Sequence, residues 1–303
     1  MNVDLLRKIE KVERLARASK LIRLANGPIN YLSGTLFNKF IYPKNKKGRF
    51  VTAQTFFGME MNLILPAGMD IYLCGGKTHD SEIRLSKFLI KNLKEKDVFV
   101  DVGTHFGFYS LLGSELVGDG GKVIGVEASA AIFDVYLKNI SLKKNIYPNH
   151  IAATDKEELL SFYEFPISYS EYNTFKPEQF DATDWIKKNP PNKIEVAGKR
   201  LDSVLIEKNI YPKIIKIDVE GAENNVVLGL EKTLANGQPI VSMEYLVEDR
   251  QNTSHKVATK KLADWGYLPH IITSAGMLVT VLDVDESLGE RGLDSDNLIF
   301  RRV

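Results

Sequence analysis

From residue 98 onward, short apolar runs alternate with stretches of helical spacing, and the apolar runs end in acids. Val98 to Val102 is nearly all apolar with Asp101 at its end, and Lys122 to Val126 ends at Glu127. Lys213 to Ile217 delivers Asp218 and Glu220, and Pro239 to Met243 ends at Glu244. Gly107 to Val117, Ile132 to Lys144 and a stretch closing near Asn236-Gly237 read as the helices between them. Strands that are apolar on both faces and separated by helices make a parallel sheet covered on both sides. Such a sheet binds its ligand in the crevice at the carboxyl ends of its strands. One acid there is common, whereas five acids at four strand ends form a coherent set.

The 303 residues, 44% of them hydrophobic, suffice for one large α/β domain with an appendage. Forty Lys and Arg stand against thirty-nine Asp and Glu, so the charge balance points to no nucleic-acid partner. A single cysteine, Cys74, excludes an internal disulfide and a multi-cysteine zinc site. Asp4 and Glu10 occupy the place of the cationic start and apolar run of a leader, and no run of about twenty apolar residues occurs, so a cytoplasmic protein is expected.

Residues 1–75 read as an N-terminal segment and 76–303 as the main domain. Met1 to Leu24 has the spacing of an amphipathic helix, with Leu5, Ile9, Val12, Leu15 and Ile22 on one side. Seven cations against three acids give it an excess of +4, which favours weak association with a membrane surface or dimerisation. A helix packed on its own domain is the plainer reading. Asn26-Gly27-Pro28 is expected to end it, and Arg49 to Leu73 reads as a small β-rich segment. A third main strand is expected close to Asn149 to Ala153. The stretch Thr154 to Ala197 reads as a long irregular insertion rich in aromatics, with Tyr163 to Trp185 lining or covering an acceptor site.

The chemistry starts at Asp101-Val102-Gly103-Thr104-His105-Phe106-Gly107, a strand, a glycine turn and a helix start. Gly103 and Gly107 permit a sharp bend and a close ligand approach. Glu127, one strand later, is placed to accept hydrogen bonds from the vicinal hydroxyls of a ribose. The spacing lacks the middle glycine that admits a pyrophosphate, so a nucleoside with an amino-acid tail, S-adenosylmethionine, fits better than a dinucleotide.

Asp101 to Ser110, followed by Lys216-Ile217-Asp218-Val219-Glu220-Gly221-Ala222-Glu223, resembles the FkbM family of S-adenosylmethionine-dependent methyltransferases. The resemblance runs from about Phe57 to the C-terminus and includes Arg200 to Leu205 and Asn297 to Phe300. It implies a Rossmann-like class I fold, a seven-stranded mostly parallel sheet whose last strand is antiparallel, and O-methylation in natural-product or surface-glycan pathways. Thr104-His105 replaces the usual Ala-Asn, and Ala128-Ser129-Ala130 the usual Pro-Asn-Pro, in loops that face the cofactor. Asp155 matches a position near the adenine.

The expected cofactor residues are therefore Asp101, Gly103, Thr104, His105, Gly107, Glu127, Ala128, Asp155 and Asp218. Asp218, Glu220 and His105 are the catalytic candidates, since a hydroxyl acceptor must lose its proton. Glu220 and Glu223 also suit a helix start. No metal is assigned, although Asp218, Glu220, Glu244 and His105 include ligands for a hard divalent cation. Two other readings share the fold. One is a nicotinamide-dependent oxidoreductase, to which Tyr172-x-x-x-Lys176 gives a superficial match, and the other a non-catalytic nucleoside-binding protein.

Overall fold

The computed structural model describes residues 2–177, 184–250 and 252–302. Thirteen strands are described: β1 (Arg49–Gln54), β2 (Glu60–Leu65), β3 (Val98–Val102), β4 (Lys122–Glu127), β5 (Ile146–His150), β6 (Ala152–Ala153), β7 (Glu158–Glu164), β8 (Asn192–Lys199), β9 (Ile214–Ile217), β10 (Ile240–Leu246), β11 (Tyr267–Ile272), β12 (Leu278–Thr280) and β13 (Ser295–Arg302).

The main sheet runs β12-β11-β13-β10-β9-β3-β4-β5. The pairs β10/β9, β9/β3, β3/β4 and β4/β5 are parallel, and β13 lies antiparallel between β10 and β11. This is the expected Rossmann-like arrangement with one edge strand more, because β12 folds back on β11 where seven strands were expected. Helices Phe108–Val117 and Ala130–Ile140 return the chain from β3 to β4 and from β4 to β5. The latter opens on Ser129, whose hydroxyl accepts from the Ile132 amide at 3.3 Å.

The pleat sends alternate residues to opposite faces. Phe99 joins the core that holds Leu111, Leu112 and Tyr136, while Val100 and Val102 join the core of Ile215, Ile217, Val226 and Met243. The helix Asn2–Arg17 belongs to the first of these cores. Its Leu5, Ile9, Val12 and Leu15 are buried with Ile83, Leu85 and Phe88 of the helix Asp80–Asn92, and Glu13 accepts from Lys87 at 2.6 Å.

The amphipathic pattern read over Met1 to Leu24 is two helices, Asn2–Arg17 and Lys20–Asn26, because Ser19 caps the second. Asn26-Gly27-Pro28 ends that helix but starts another, Pro28–Leu36, with proline at the first turn where its missing N–H costs nothing. The expected third strand splits into β5 and β6. The stretch Thr154 to Ala197 is more regular than expected: β7 and β8 pair antiparallel from Glu158↔Gly198 to Glu164↔Asn192, enclosing a 3-10 helix, Ile167–Tyr172. Residues 178–183 of the expected insertion lie outside the described residues.

Candidate active site

A cavity of about 370 Å³ opens at the carboxyl ends of β3, β4, β9 and β10. Its lining includes the apolar side chains of Val126, Ile151, Ala152, Ala153, Phe162 and Val219. It also includes the charged residues Lys77, Glu82, Glu171, Asp218, Glu220, Glu244 and Arg250. Gly103, His105, Glu127 and Ala128 line it as well.

Glu127 is the last residue of β4. Its Oε2 accepts from the His105 amide and its Oε1 from the Ser129 amide, both at 2.9 Å. These bonds fix the carboxylate, yet burial outweighs them and pushes its pKa up to about 7. His105 itself has φ of 50°, and its Nε2 lies 2.8 Å from Ser170 Oγ. Burial lowers its pKa to about 4, so the imidazole is neutral at pH 7.

Asp218 follows β9. Its Oδ2 lies 3.0 Å from the Lys216 ammonium. Although burial opposes the charge on Lys216, the carboxylates of Asp218 and Asp101 outweigh it and raise its pKa. Glu220, at φ of 51°, and Glu244 complete the acidic wall. Carboxylate oxygens of Asp218, Glu220 and Glu244 all lie within 4.8 Å of one another, close enough to hold a hard cation or to share protons. Burial raises the proton affinity of both glutamates, and the neighbouring acids add to it, with Glu244 reaching about 8.

Four residues expected to face the cofactor do not line the cavity. Asp101 is turned by the pleat to the opposite face, where it takes a 2.7 Å hydrogen bond from Ser110 and stands beside Lys216, its cross-strand neighbour. Thr104 is buried in the turn. Gly107 lies against the Tyr136 ring, which an added Cβ would approach to 2.5 Å. Asp155 accepts from Asn225 at 2.8 Å, and its carbonyl from Arg200 at 2.8 Å. Glu223 takes the helix-start role, accepting from the Gly221 amide at 3.0 Å.

The sequence reading missed Lys77, Glu82 and Glu171. Lys77 joins Glu171 at 2.9 Å and Glu82, five residues further along the chain, at 3.5 Å. The Lys77 ammonium pulls Glu171 down to about 2, while burial pushes Glu82 up to about 7. Of the aromatic stretch, Tyr172 and Phe175 line the cavity. Trp185 packs against Phe165, Tyr169 and Tyr172 with ring centroids 5.0 to 5.6 Å apart.

Glu82 and Glu127 at about 7, and Glu244 at about 8, keep protons that an unfolded chain with carboxylates near 4.5 releases earlier. Folded-state proton uptake in excess of the unfolded chain means that stability falls as pH rises through that window. His105, lowered from 6.5 to about 4, acts in the opposite sense, as do His255 and His270, whose pKa burial also lowers, but their effect fades as pH rises past the unfolded value of 6.5 while that of the glutamates persists. The melting temperature of the ligand-free protein is therefore expected to decline between pH 6.5 and 8, and Glu127→Gln should flatten the decline. A scanning fluorimetry series showing a rise over that interval contradicts this assignment.

The solved structures to which the fold is similar include an FkbM methyltransferase from Methylobacillus flagellatus KT, at 11% identity over 78% of this chain, with a TM-score of 0.42. This chain spans about half of that one, 52%. They also include a precorrin-6y C5,15-methyltransferase from Geobacter metallireducens GS-15, at 12% identity over 73% of this chain and 87% of that one, with a TM-score of 0.40. A fibrillarin from Aeropyrum pernix, in complex with natively bound S-adenosyl-L-methionine, is similar at 17% identity over 73% of this chain and 74% of that one, with a TM-score of 0.39. No curated protein gives a significant match. The Methyltransferase FkbM domain matches residues 101–269, more than half of the sequence, and the chain belongs to the FkbM methyltransferase family.

Proposed function

We propose that this methyltransferase binds S-adenosylmethionine between the β3 turn and β4 and methylates a hydroxyl oxygen of a sugar or another small molecule. The observation that carries the reading is Glu127, a buried carboxylate at a strand end, fixed by two backbone amides and lining a cavity that also holds apolar and charged side chains. The residues fit the cofactor. Ile151, Ala152, Ala153, Phe162 and Val219 suit the adenine, Glu127 the ribose hydroxyls, and the Lys77 ammonium a carboxylate. The bound cofactor would supply an electrophilic methyl group on a sulfonium.

The protein's own part is to align the acceptor, exclude water and take up a proton. Burial and the neighbouring acids raise the proton affinity of Glu220 and Glu244, so in their ionised form they are stronger bases than an ordinary carboxylate and suit proton uptake from a hydroxyl. Asp218 has one oxygen occupied by Lys216, so its role in this reading is to position the acceptor. His105 remains neutral and held by Ser170. Tyr172 and Phe175 offer aromatic faces to a sugar ring.

The oxidoreductase reading loses its Tyr-Lys pair. Tyr172 is the last residue of its 3-10 helix, and the Lys176 ammonium donates to Asn225 at 3.0 Å. For the proposed function, Glu127→Ala is expected to weaken S-adenosylmethionine binding by roughly 1.5–3 kcal/mol, the range for hydrogen bonds to a charged group. Calorimetric titration of the folded variant tests this, and an unchanged dissociation constant removes the ribose assignment.

A further inference from the structure

Residues 14–59 contain no aspartate or glutamate and nine lysines and arginines. Within that stretch, Pro28–Leu36, Phe37–Ile41 and Tyr42–Asn45 form successive helical segments, the middle one a π-helix. Their inner side is committed to the protein. Gly34 lies against Met69 and Tyr72, where an added Cβ would come within 2.9 Å of the Met69 sulfur. Phe37 and Tyr42 are buried with Leu65. The outer side is also apolar: Ile29 is 80% exposed, Leu32 and Leu36 each 51%, and Phe40 53%, at spacings of three, four and four residues. Leu21 and Ile22 of the preceding helix, 77% and 57% exposed, extend the apolar surface.

A helix that is apolar all round belongs in a core or against another apolar medium. Here exposed lysines accompany the apolar stripe: Lys20, Lys39, Lys44, Lys46 and Lys47. Lys39 and Lys46 stand over the rings of Phe40 and Tyr42, 5.4 and 5.7 Å from their centroids. Basic residues beside exposed leucine, isoleucine and phenylalanine are the chemistry of a helix lying in the headgroup region of an anionic bilayer. A second copy of the chain is a poorer occupant, because a twofold contact would press two like-charged surfaces together. No helix among the described residues is long and apolar enough to cross a membrane.

We propose that residues 20–47 form a docking surface for anionic membranes, with Ile29, Leu32, Leu36 and Phe40 entering the headgroup region and the lysines meeting lipid phosphates. The inference stands on this surface alone and does not depend on the acceptor chosen above. The surface is nevertheless tied to the cavity wall. Tyr42 donates to Ser168 Oγ at 2.7 Å, in the same 3-10 helix that carries Ser170 and Glu171 into the cavity.

Co-sedimentation of the full chain with vesicles of equal parts phosphatidylcholine and phosphatidylglycerol tests the proposal, with pure phosphatidylcholine as the uncharged control. The wild type is expected to pellet with the anionic vesicles and to be released as salt rises. The double variant Leu32→Glu, Leu36→Glu and the triple variant K44E, K46E, K47E should each weaken partition by roughly tenfold or more. All five side chains are exposed, so both variants should keep the wild-type melting transition. Should one fail to fold, the salt release of the wild type decides. Equal binding to both vesicle types overturns the proposal, as does no binding to either. A dimer in size-exclusion chromatography that the double variant splits, without vesicle binding, assigns the surface to a second copy instead.

Discussion

Gly103→Ala is expected to cost at least ~3 kcal/mol of stability, and Gly103→Val more, well beyond what loss of a ligand contact would do. An added Cβ would lie 1.8 Å from the Asp218 carbonyl oxygen, a backbone atom that can give way only if the ends of β3 and β9 separate. The glycine's φ of 78° adds a strain of ~1–2 kcal/mol for any L side chain. Gly58 provides the internal control. It has φ of 90° with nothing within 4 Å of an added Cβ, so Gly58→Ala should show the backbone strain alone. Urea denaturation of the two alanine variants measures the difference. Equal losses mean that the carbonyl contact is not what keeps position 103 a glycine.

Glu220→Gln is expected to lower turnover by roughly 10²–10⁴ while leaving cofactor affinity near wild type, as loss of a proton acceptor does. The substitution keeps the size of the side chain and removes its charge. Glu244→Gln should act differently. Next to burial, the Glu244 carboxylate is the largest cause of the raised proton affinity of Glu220. Without it Glu220 releases its proton at lower pH, so the acid limb of the kcat profile should move to lower pH with a smaller loss of rate. Steady-state rates across a pH series separate the two variants. Turnover within about threefold of wild type for Glu220→Gln passes the role to another acid of the wall.

The strands that frame this chemistry were legible because a parallel sheet buries both faces, and β3, β4, β9 and β10 accordingly appear as mostly apolar runs. The acids at their ends were legible for the same reason, as polar residues that interrupt such runs. Strand parity was not read. Asp101 lies inside β3, and the pleat sends it away from the cavity toward Ser110, whereas Glu127 and Asp218, at or past strand ends, face the cavity. β7 and β8 were taken for irregular chain because prolines and charges crowd the segment, although Leu160 and Phe162 opposite Val196 and Ile194 carry a period of two. Lys77, Glu82 and Glu171 had no signal of their own. Lys77 and Glu82 stand five residues apart about the start of the helix Asp80–Asn92, and Glu171 reaches them from the distant 3-10 helix, so the cluster exists only in the folded chain. Gly103 and Gly107 were singled out for the sharp bend, and both have the positive φ it requires, 78° and 89°; what had no signal is that they also make room for the Asp218 carbonyl and the Tyr136 ring.

The central claim is that the cavity beside Glu127 takes S-adenosylmethionine. Calorimetric titration of the wild-type protein with S-adenosylmethionine and, separately, with NADH tests it most directly. The account predicts saturable binding of S-adenosylmethionine at one site per chain and none of NADH. Binding of NADH without S-adenosylmethionine, or of neither, contradicts it.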